Sequence, residues 1–398
     1  AALGAAEFAL HLRPALLPAG YLAHFPGHGT EFFHPDVFAR TPVEGILLPH
    51  LAGTHVGPPP TDLVDMGVAP ADADDDRRRV PRVLIPADEL GFPNLALPEQ
   101  AELVLLGDSY GVATGVREPE GLQAMLERAS GLTVFNASIA GIGPAQERWL
   151  LEHVVLARAP RAVLWLFFAG NDLTASYEPY LARRAGHATW AEAWPELHKP
   201  RFYLPDLLRR ALATAPPARC SAPLPPFEFE LVDGGARRLW FAPDHLVQLG
   251  WSIEEWRAHP VWAPVQAELE AARALCAARG VKLLFVYMPS APEVLLPFTR
   301  ADPELAVRTI TSTGLPAPAG TPTEVWARLL AHRGALETLV REFCAAQSIP
   351  FLSAVPALSA QASEGELGYL TTDTHWSSVG QRALLEPLLA FLRAEGVL

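Results

Sequence analysis

The amino-acid sequence predicts a three-layer α/β protein, in which a mostly parallel five-stranded sheet lies between two layers of helices. Three observations lead to this prediction. Short apolar runs alternate with helical patterns from residue 101 onward, and small polar residues follow several of the runs. Half of the 398 residues are hydrophobic, which is enough for a sizeable core. Because strands that alternate with helices form βαβ units with right-handed crossovers, the sheet should be parallel.

Five apolar runs have the length and composition of buried parallel strands. They are residues 103–106, 133–136, 162–169, 282–288 and 350–354. The predicted helices between and after them are residues 144–158, 265–279, 324–347 and a last helix from about 379. Pro144 suits a helix start, and Gly280 suits the position just after a helix end. The last helix has one apolar face, formed by Leu384, Leu385, Leu388, Leu389 and Leu392.

Two segments interrupt this alternation, so the sheet domain is predicted to comprise residues 99–174 and 262–398. Residues 1–98 are broken by proline and histidine and are predicted to form an irregular N-terminal region. Residues 175–261 are rich in tryptophan, tyrosine and proline, and they are too long for a loop without structure of its own. We interpret them as a lid-like insertion. An elaboration of the core that does not contact substrate is the alternative.

The charge and the cysteines exclude several classes of function. The formal net charge is −13 and no basic stripe is present, whereas nucleic acids and anionic membranes bind clustered Lys and Arg. We therefore expect neither as a partner. Cys220, Cys276 and Cys344 are far apart, which excludes a disulfide framework or a cysteine-based zinc site as the organising principle.

No run of about eighteen apolar residues is present, so no membrane span is predicted in this chain. Residues 1–17 are rich in alanine and leucine, and two interpretations stay open: the remnant of a lost signal or anchor, or an ordinary N-terminal helix. His24, His28 and His34, with Glu31, could be taken for metal ligands. Glycine and proline between them break any helical register, so no metal site is predicted there.

A candidate nucleophile follows the first predicted strand, in Gly107-Asp108-Ser109-Tyr110-Gly111. This order places Ser109 at a strand-to-helix turn, where backbone N–H groups and the helix dipole favour a developing oxyanion. The pattern also satisfies G-x-S-x-G, the nucleophile elbow of α/β-hydrolases. Small residues are common after strands, so the motif needs partners elsewhere in the chain.

A candidate base precedes the last helix, in Asp373-Thr374-His375-Trp376. The Asp373 carboxylate can hold the Nδ1–H of His375, which leaves Nε2 free to accept the serine proton. A structural Asp-His pair would have the same local sequence. The chain order is more informative, because a serine after the first strand and a histidine before the final helix can meet above one sheet edge.

Two further polar segments follow the second and third strands: residues 136–141, ending in Gly141, and Gly170-Asn171-Asp172. A glycine N–H and an asparagine amide are suitable oxyanion donors beside the N–H of Ser109. The carboxyl ends of parallel strands meet at one edge of a sheet, so these donors should lie near Ser109. Asp108 and Asp172 are predicted instead to stabilise their turns by hydrogen bonds to local backbone N–H groups.

These four segments resemble the conserved blocks of the SGNH, or GDSL-like, hydrolase family, which carry Ser, Gly, Asn and His. The resemblance implies an SGNH/flavodoxin-like fold, a triad of Ser109, His375 and Asp373, and oxyanion donors from Ser109, Gly141 and Asn171. Residues 88–94 (DELGFPN) and 143–147 (GPAQE) are also similar to a secreted or envelope-associated bacterial branch. The resemblance covers roughly residues 88–174 and 281–398.

The chain departs from the family at one block. Many members place the aspartate three residues before the histidine, where this chain has Thr372. The order Asp-x-His-Trp is similar instead to a branch that includes alginate O-acetylation proteins, although the Asp-His pair there precedes the serine. An α/β-hydrolase is the alternative fold. That fold usually separates its acid widely from its histidine, so the order here favours the SGNH family.

The resulting prediction is a serine esterase that acts through an acyl-Ser109 intermediate and needs no metal or cofactor. Its expected partner is a small-molecule or carbohydrate ester, such as an O-acetylated sugar. Two other functions stay open: an O-acyltransferase acting on a cell-envelope polysaccharide, and a catalytically silent carbohydrate-binding module. The resemblance implies an extracytoplasmic location, whether secreted, periplasmic or envelope-associated.

Overall fold

The structure is a computed structural model that describes residues 53–56, 62–70, 72–73, 84–88, 90–175, 223–312 and 318–398. Within these residues the strands are β1 (Gly53–Val56), β2 (Leu84–Ala87), β3 (Leu103–Gly107), β4 (Val134–Asn136), β5 (Ala162–Phe168), β6 (Phe227–Glu230), β7 (Ala236–Leu239), β8 (Lys282–Met288) and β9 (Phe351–Ser353). The helices are α1 (Asp62–Asp65), α2 (Ser109–Val112), α3 (Leu122–Ser130), α4 (Pro144–Leu150), α5 (Asp172–Ala175), α6 (Pro243–Leu249), α7 (Ile253–Ala258), α8 (Trp262–Ala277), α9 (Ala291–Leu295), α10 (Pro303–Thr311), α11 (Pro322–His332), α12 (Ala335–Ala346), α13 (Val355–Ser363) and α14 (Ser378–Ala394).

Five strands form a parallel sheet in the order β4-β3-β5-β8-β9, which confirms the predicted sheet. Counted along the chain, this is the 2-1-3-4-5 order of a doubly wound, flavodoxin-like fold. The order reverses beside β3 and β5. A ligand crevice is therefore expected outside the carboxyl ends of these two strands.

Helices cover both faces of the sheet, because successive residues of a strand point to opposite sides. Leu103 and Leu105 of β3 belong to a buried cluster that includes residues of α3, α10 and α14. Val104 and Leu106 belong to a second cluster with residues of α4, α8 and α12. Every side chain of β3 and β5 is buried. The three-layer prediction is therefore confirmed.

The predicted helix over residues 324–347 is wrong as a single element, since α11 and α12 are separate helices. The first begins at a capping box, in which the Thr321 N–H donates to Glu324 Oε2 at 2.7 Å and the Glu324 N–H donates to Thr321 Oγ1 at 3.4 Å. Gly334 ends the run, with φ −99° and ψ 9° outside the helical region. Glycine is a poor helix former, so the chain turns there.

The helix predicted over residues 144–158 begins at Pro144, as expected, but only α4 is α-helical. The chain continues as a π-helical turn at Leu151–Val155 and a 3₁₀ turn at Leu156–Arg158. Leu151 and Val155 remain buried throughout this change of pitch. The apolar pattern is thus kept although the helix type changes.

The described part of the predicted insertion packs into the core. Strands β6 and β7 form an antiparallel hairpin, and α6 follows it. Phe227 and Phe229 of the hairpin and Leu246 of α6 belong to the same buried cluster as Leu103. Trp190, Trp194 and Cys220, like the rest of residues 176–222, lie outside the described residues, so a lid stays a prediction.

The described residues of the leading region form short elements. Strands β1 and β2 pair antiparallel. Helix α1 buries Leu63 in a small cluster with Trp240, and the Leu224 N–H donates to the carbonyl of Val68 at 2.9 Å. The histidine group at residues 24–34 lies outside the described residues. In the part of the chain described above, no helix combines the length and apolarity needed to cross a membrane.

Candidate active site

The candidate nucleophile lies at the turn from β3 into α2, as predicted. Asp108 is the N-cap of α2, and its Oδ1 accepts a hydrogen bond from the Tyr110 N–H at 2.9 Å. Ser109 is the first residue of the helix. Its side chain therefore stands at the carboxyl end of β3, beside the point where the strand order reverses.

Gly111 is required at this turn because another chain segment lies close to it. A Cβ atom at this position would lie 2.1 Å from Ser138 Oγ, well inside contact distance. The carbonyl of Gly111 also accepts a hydrogen bond from Asn136 Nδ2 at 2.7 Å. The last residue of the G-D-S-Y-G motif thus allows the segment after β4 to pack against the nucleophile turn.

A buried network of hydrogen bonds continues from this contact to residues 88–94. Asn136 N–H donates to Asn94 Oδ1 at 2.9 Å, and Asn94 Nδ2 donates to Asp88 Oδ2 at 2.8 Å. Asn136 Oδ1 in turn accepts from the Ser138 N–H at 3.0 Å. Asn136 therefore joins the lead-in segment, the second block and the nucleophile turn, a role that the sequence did not reveal.

The loop that carries the histidine is fixed at both ends. The Leu370 N–H donates to the His375 carbonyl at 3.0 Å, and the Ser377 N–H donates to Gly368 at 2.9 Å. The Tyr110 hydroxyl donates to the carbonyl of Thr374. Trp376 is buried and packs edge-on against Tyr110, with ring centroids 5.6 Å apart. Tyr110 and Trp376 thus belong to the core, as their sequence context suggested.

The three candidate triad side chains form one hydrogen-bonded chain. His375 Nε2 lies 2.7 Å from Ser109 Oγ, and His375 Nδ1 lies 2.5 Å from Asp373 Oδ1. The same Asp373 oxygen accepts the backbone N–H of His375 at 3.0 Å. Ser109 and His375 are each 8% exposed and Asp373 is 2% exposed. The three side chains thus have the spacing that a serine, a histidine base and an orienting acid require.

The charges of this group favour a protonated imidazole. Burial alone would lower the pKa of His375, but the charge and hydrogen bonds of Asp373 outweigh it, and Asp62 and Asp108 add to the effect. Together they raise the pKa of His375 to about 9. Burial would raise the pKa of Asp373, yet His375 holds it below its usual value. Asp373 is therefore a carboxylate anion beside the His375 imidazole.

Asp62 is the neighbour that sequence reasoning missed. It begins α1 in the leading region, and its N–H donates to Asp373 Oδ2 at 3.1 Å. Its Oδ2 accepts from Thr374 Oγ1 at 2.8 Å and lies 3.5 Å from His375 Nδ1. No local pattern links residues 311 positions apart, so only the fold reveals this contact.

Asp62, Asp373 and His375 also have ligand-type atoms within 4.8 Å of one another. Two ligands of a tetrahedral zinc ion lie about 3.3 Å apart, since each is about 2.0 Å from the metal. The 2.5 Å between His375 Nδ1 and Asp373 Oδ1 is instead the distance of a short charge-assisted hydrogen bond. The spacing thus fits a triad better than a metal centre.

The two predicted oxyanion donors besides Ser109, Asn171 and Gly141, lie in different surroundings. The Asn171 side chain is hydrogen-bonded to the Asp108 carboxylate, so it lies at the nucleophile turn. Gly141 lies in an exposed turn after β4 with φ +79°, a conformation that favours glycine. Ile139 N–H donates to the Gly107 carbonyl at 3.0 Å, which brings this segment alongside β3. The donor roles of Gly141 and Asn171 stay predictions.

Three fully buried carboxyl groups interact with one another at the nucleophile turn: Asp108, which caps the helix there, Glu147 and Asp172. Burial raises the pKa of Glu147 and of Asp172 well above their usual values, and mutual repulsion with Asp108 adds to the effect. Asp172 Oδ2 accepts the Phe168 N–H at 2.9 Å, so it stabilises its turn as predicted. Asp108 does the same through Tyr110.

Comparison with known proteins gives matches to solved structures only. No protein-family model matches the sequence, and no curated protein matches it. Phospholipase A1 from Streptomyces albidoflavus is similar at 11% identity and a TM-score of 0.39, over 73% of this chain and 99% of that chain. An acetyl xylan esterase is similar at 13% identity and a TM-score of 0.35, over 72% of this chain and 98% of that chain.

A GDSL-like lipase from Bacteroides thetaiotaomicron is similar at 11% identity and a TM-score of 0.32, over 73% of this chain and 88% of that chain. Identities and TM-scores at this level do not decide an activity.

Proposed function

We propose that this protein is a serine ester hydrolase in which Ser109 is the nucleophile, His375 the general base and Asp373 the orienting acid. The observation that carries the proposal is the continuous chain from Ser109 Oγ through the imidazole to Asp373, with separations of 2.7 and 2.5 Å. A serine hydroxyl is a weak nucleophile until an adjacent base removes its proton. The chain supplies that base, and Asp373 fixes its orientation.

The reaction begins when Ser109 Oγ attacks the ester carbonyl carbon while His375 Nε2 takes the hydroxyl proton. The carbonyl oxygen becomes an oxyanion, and the imidazolium is stabilised by Asp373. When the tetrahedral intermediate collapses, the C–O bond to the alcohol breaks and His375 returns the proton to the leaving oxygen. Water then attacks the acyl-Ser109 ester in the same way and releases the acid.

The oxyanion is proposed to be bound by the N–H of Ser109, the N–H of Gly141 and the side-chain amide of Asn171. Asn171 is supported by its hydrogen bond to Asp108, the residue next to the nucleophile. Gly141 is supported by its place after β4, the strand beside β3. Such donors, held in position before the reaction, stabilise charge that develops only in the transition state.

We propose an acyl ester of a carbohydrate, and an O-acetyl group in particular, as the substrate class. The support is the Asp-x-His-Trp order at residues 373–376, which resembles a branch concerned with sugar O-acetylation. Tyr110 and Trp376 are not available to line a substrate pocket, because both are at most 2% exposed. Acyl selectivity must therefore come from other residues.

Purified protein should be assayed on aryl esters of graded acyl length, with and without an added glycan acceptor. We expect hydrolysis that is fastest for acetyl esters and is absent from Ser109→Ala. Turnover retained by correctly folded Ser109→Ala protein would refute the serine mechanism. Acyl transfer to the glycan exceeding hydrolysis would replace hydrolysis by transfer while keeping Ser109 as nucleophile.

A further inference from the structure

Asp62 is held against the histidine loop by backbone contacts that do not depend on its own side chain. The Leu63 N–H donates to the Thr372 carbonyl at 3.2 Å. The Leu63 side chain is 1% exposed and packs in the small cluster with Val68 and Trp240. Helix α1 is therefore anchored at the site, and Asp62 is its first residue.

Asp62 contacts the His375–Asp373 pair in two distinct ways. Its N–H donates a hydrogen bond to Asp373 Oδ2 at 3.1 Å, while His375 Nδ1 is hydrogen-bonded to Asp373 Oδ1. Both oxygens of the Asp373 carboxylate therefore accept a hydrogen bond. Its own Oδ2 lies 3.5 Å from His375 Nδ1, too far for a good hydrogen bond but close for a charge. Thr374 Oγ1 holds that oxygen in place at 2.8 Å.

We propose that Asp62 is a positioning residue for the triad: its N–H fixes the plane of the Asp373 carboxylate, and its carboxylate stabilises the imidazolium formed as Ser109 attacks. This inference rests on the proposed serine hydrolase function.

Several groups face the His375 imidazole, so removing one charge should weaken its stabilisation rather than abolish it. Asp373 belongs to the same loop, Asp62 to α1 and Asp108 to the nucleophile turn. The Tyr110 ring lies beside the imidazole, with centroids 5.2 Å apart. The Asp62 side chain is 47% exposed, so solvent screens part of its charge.

The test is Asp62→Asn, which removes the charge but keeps the backbone N–H and an oxygen that can accept from Thr374. The matched control is Asp65→Asn, which removes an exposed charge from the same helix. The readout is kcat/KM for an aryl acetate as a function of pH. For Asp62→Asn we expect the acid limb to move about one unit toward lower pH, the small end of the shift that a charge at this separation causes.

The plateau of kcat/KM for Asp62→Asn should fall by about tenfold, mainly in kcat, because the charge acts on the imidazolium of the transition state. Asp65→Asn should match the wild type in both respects. A pH profile of Asp62→Asn that coincides with that of the wild type would overturn the role of Asp62. A purely structural role would lower the amount of folded protein without moving the profile.

Failure of the proposed function gives a different result. If Ser109→Ala keeps full turnover, the serine mechanism is wrong, whatever Asp62 does. The placement of Asp62 is then tested without activity, by ¹⁵N NMR titration of His375, assigned by comparison with His375→Gln. A His375 pKa that is about one unit lower in Asp62→Asn than in the wild type supports the inference, and an equal pKa refutes it.

Discussion

Glu147 offers a quantitative test of the buried carboxyl groups behind Ser109. Its side chain is fully buried, and burial and repulsion from Asp108 raise its pKa well above the usual value. A carboxyl whose pKa is higher in the folded than in the unfolded state contributes stability at low pH. That contribution is lost as pH rises from the unfolded toward the folded pKa.

The substitution Glu147→Gln replaces the neutral acid by a neutral group of similar shape, so it removes this pH dependence. The free energy of unfolding of the variant should rise relative to the wild type by about 1.4 kcal/mol for each pH unit above about 4.5, until the folded pKa is reached. The assay is urea unfolding at a series of pH values. Glu152→Gln, in the half-exposed pair with Arg148, is the control and should show no such trend.

Parallel pH dependences for Glu147→Gln and the wild type would show that Glu147 ionises in the folded protein. The assignment of a neutral carboxyl group beside the nucleophile turn would then be wrong. A constant loss of stability at every pH, in addition to any change of slope, would measure the packing lost in the variant. Each result is separable because the slope and the offset are measured independently.

Three further predictions concern the site. Asp373→Asn should lower kcat by about 10³-fold or more, since the imidazole loses its orienting acid, and KM should stay unchanged. Steady-state kinetics on an aryl acetate measures both constants. Because the pKa of His375 is raised to about 9, wild-type kcat/KM should still be rising with pH above 7. A plateau already reached at pH 6 would show that the neighbouring carboxylates do not raise this pKa. Asn171→Ala should cost about 3 kcal/mol of transition-state stabilisation, measured from kcat/KM of the folded variant.

The network around Asn136 gives a stability prediction of its own. Asn136→Ala removes the bonds from its amide to the Gly111 carbonyl and from Ser138 N–H to its oxygen. Leaving these buried groups unpaired should lower the free energy of unfolding by about 2 kcal/mol or more. Urea unfolding measures the loss. Unchanged stability would mean that the network does not hold the nucleophile turn.

The sheet and the Ser109–His375 pair could be predicted because their signals are local or depend on chain order. The five strands are continuous apolar runs bounded by turn residues, and β3, β4 and β5 are buried on both faces. Ser109 follows the first strand of the sheet, and His375 precedes α14, so parallel topology brings them to one edge. The G-D-S-Y-G and Asp-x-His motifs predict a site only because the chain order brings them together.

The missed features depend on contacts between distant residues. Asp62 reaches the triad from a segment broken by prolines, where no periodicity marks a functional residue. Asn136 bonds to Gly111 across 25 positions, and the sequence placed it at the end of a strand and the start of a polar segment without indicating this contact. The helix at 324–347 was predicted as continuous because the apolar pattern persists, although Gly334 interrupts the backbone. The extracytoplasmic location and the lid over residues 175–261 stay predictions.

The central claim is that His375 activates Ser109 for covalent catalysis. Reaction with a fluorophosphonate, followed by peptide mass spectrometry, tests it most directly. We predict a single adduct on Ser109 in the wild type, none in Ser109→Ala, and labelling of folded His375→Ala slowed by at least about 10³-fold. Labelling at another residue, or an unchanged rate in His375→Ala, would contradict the account.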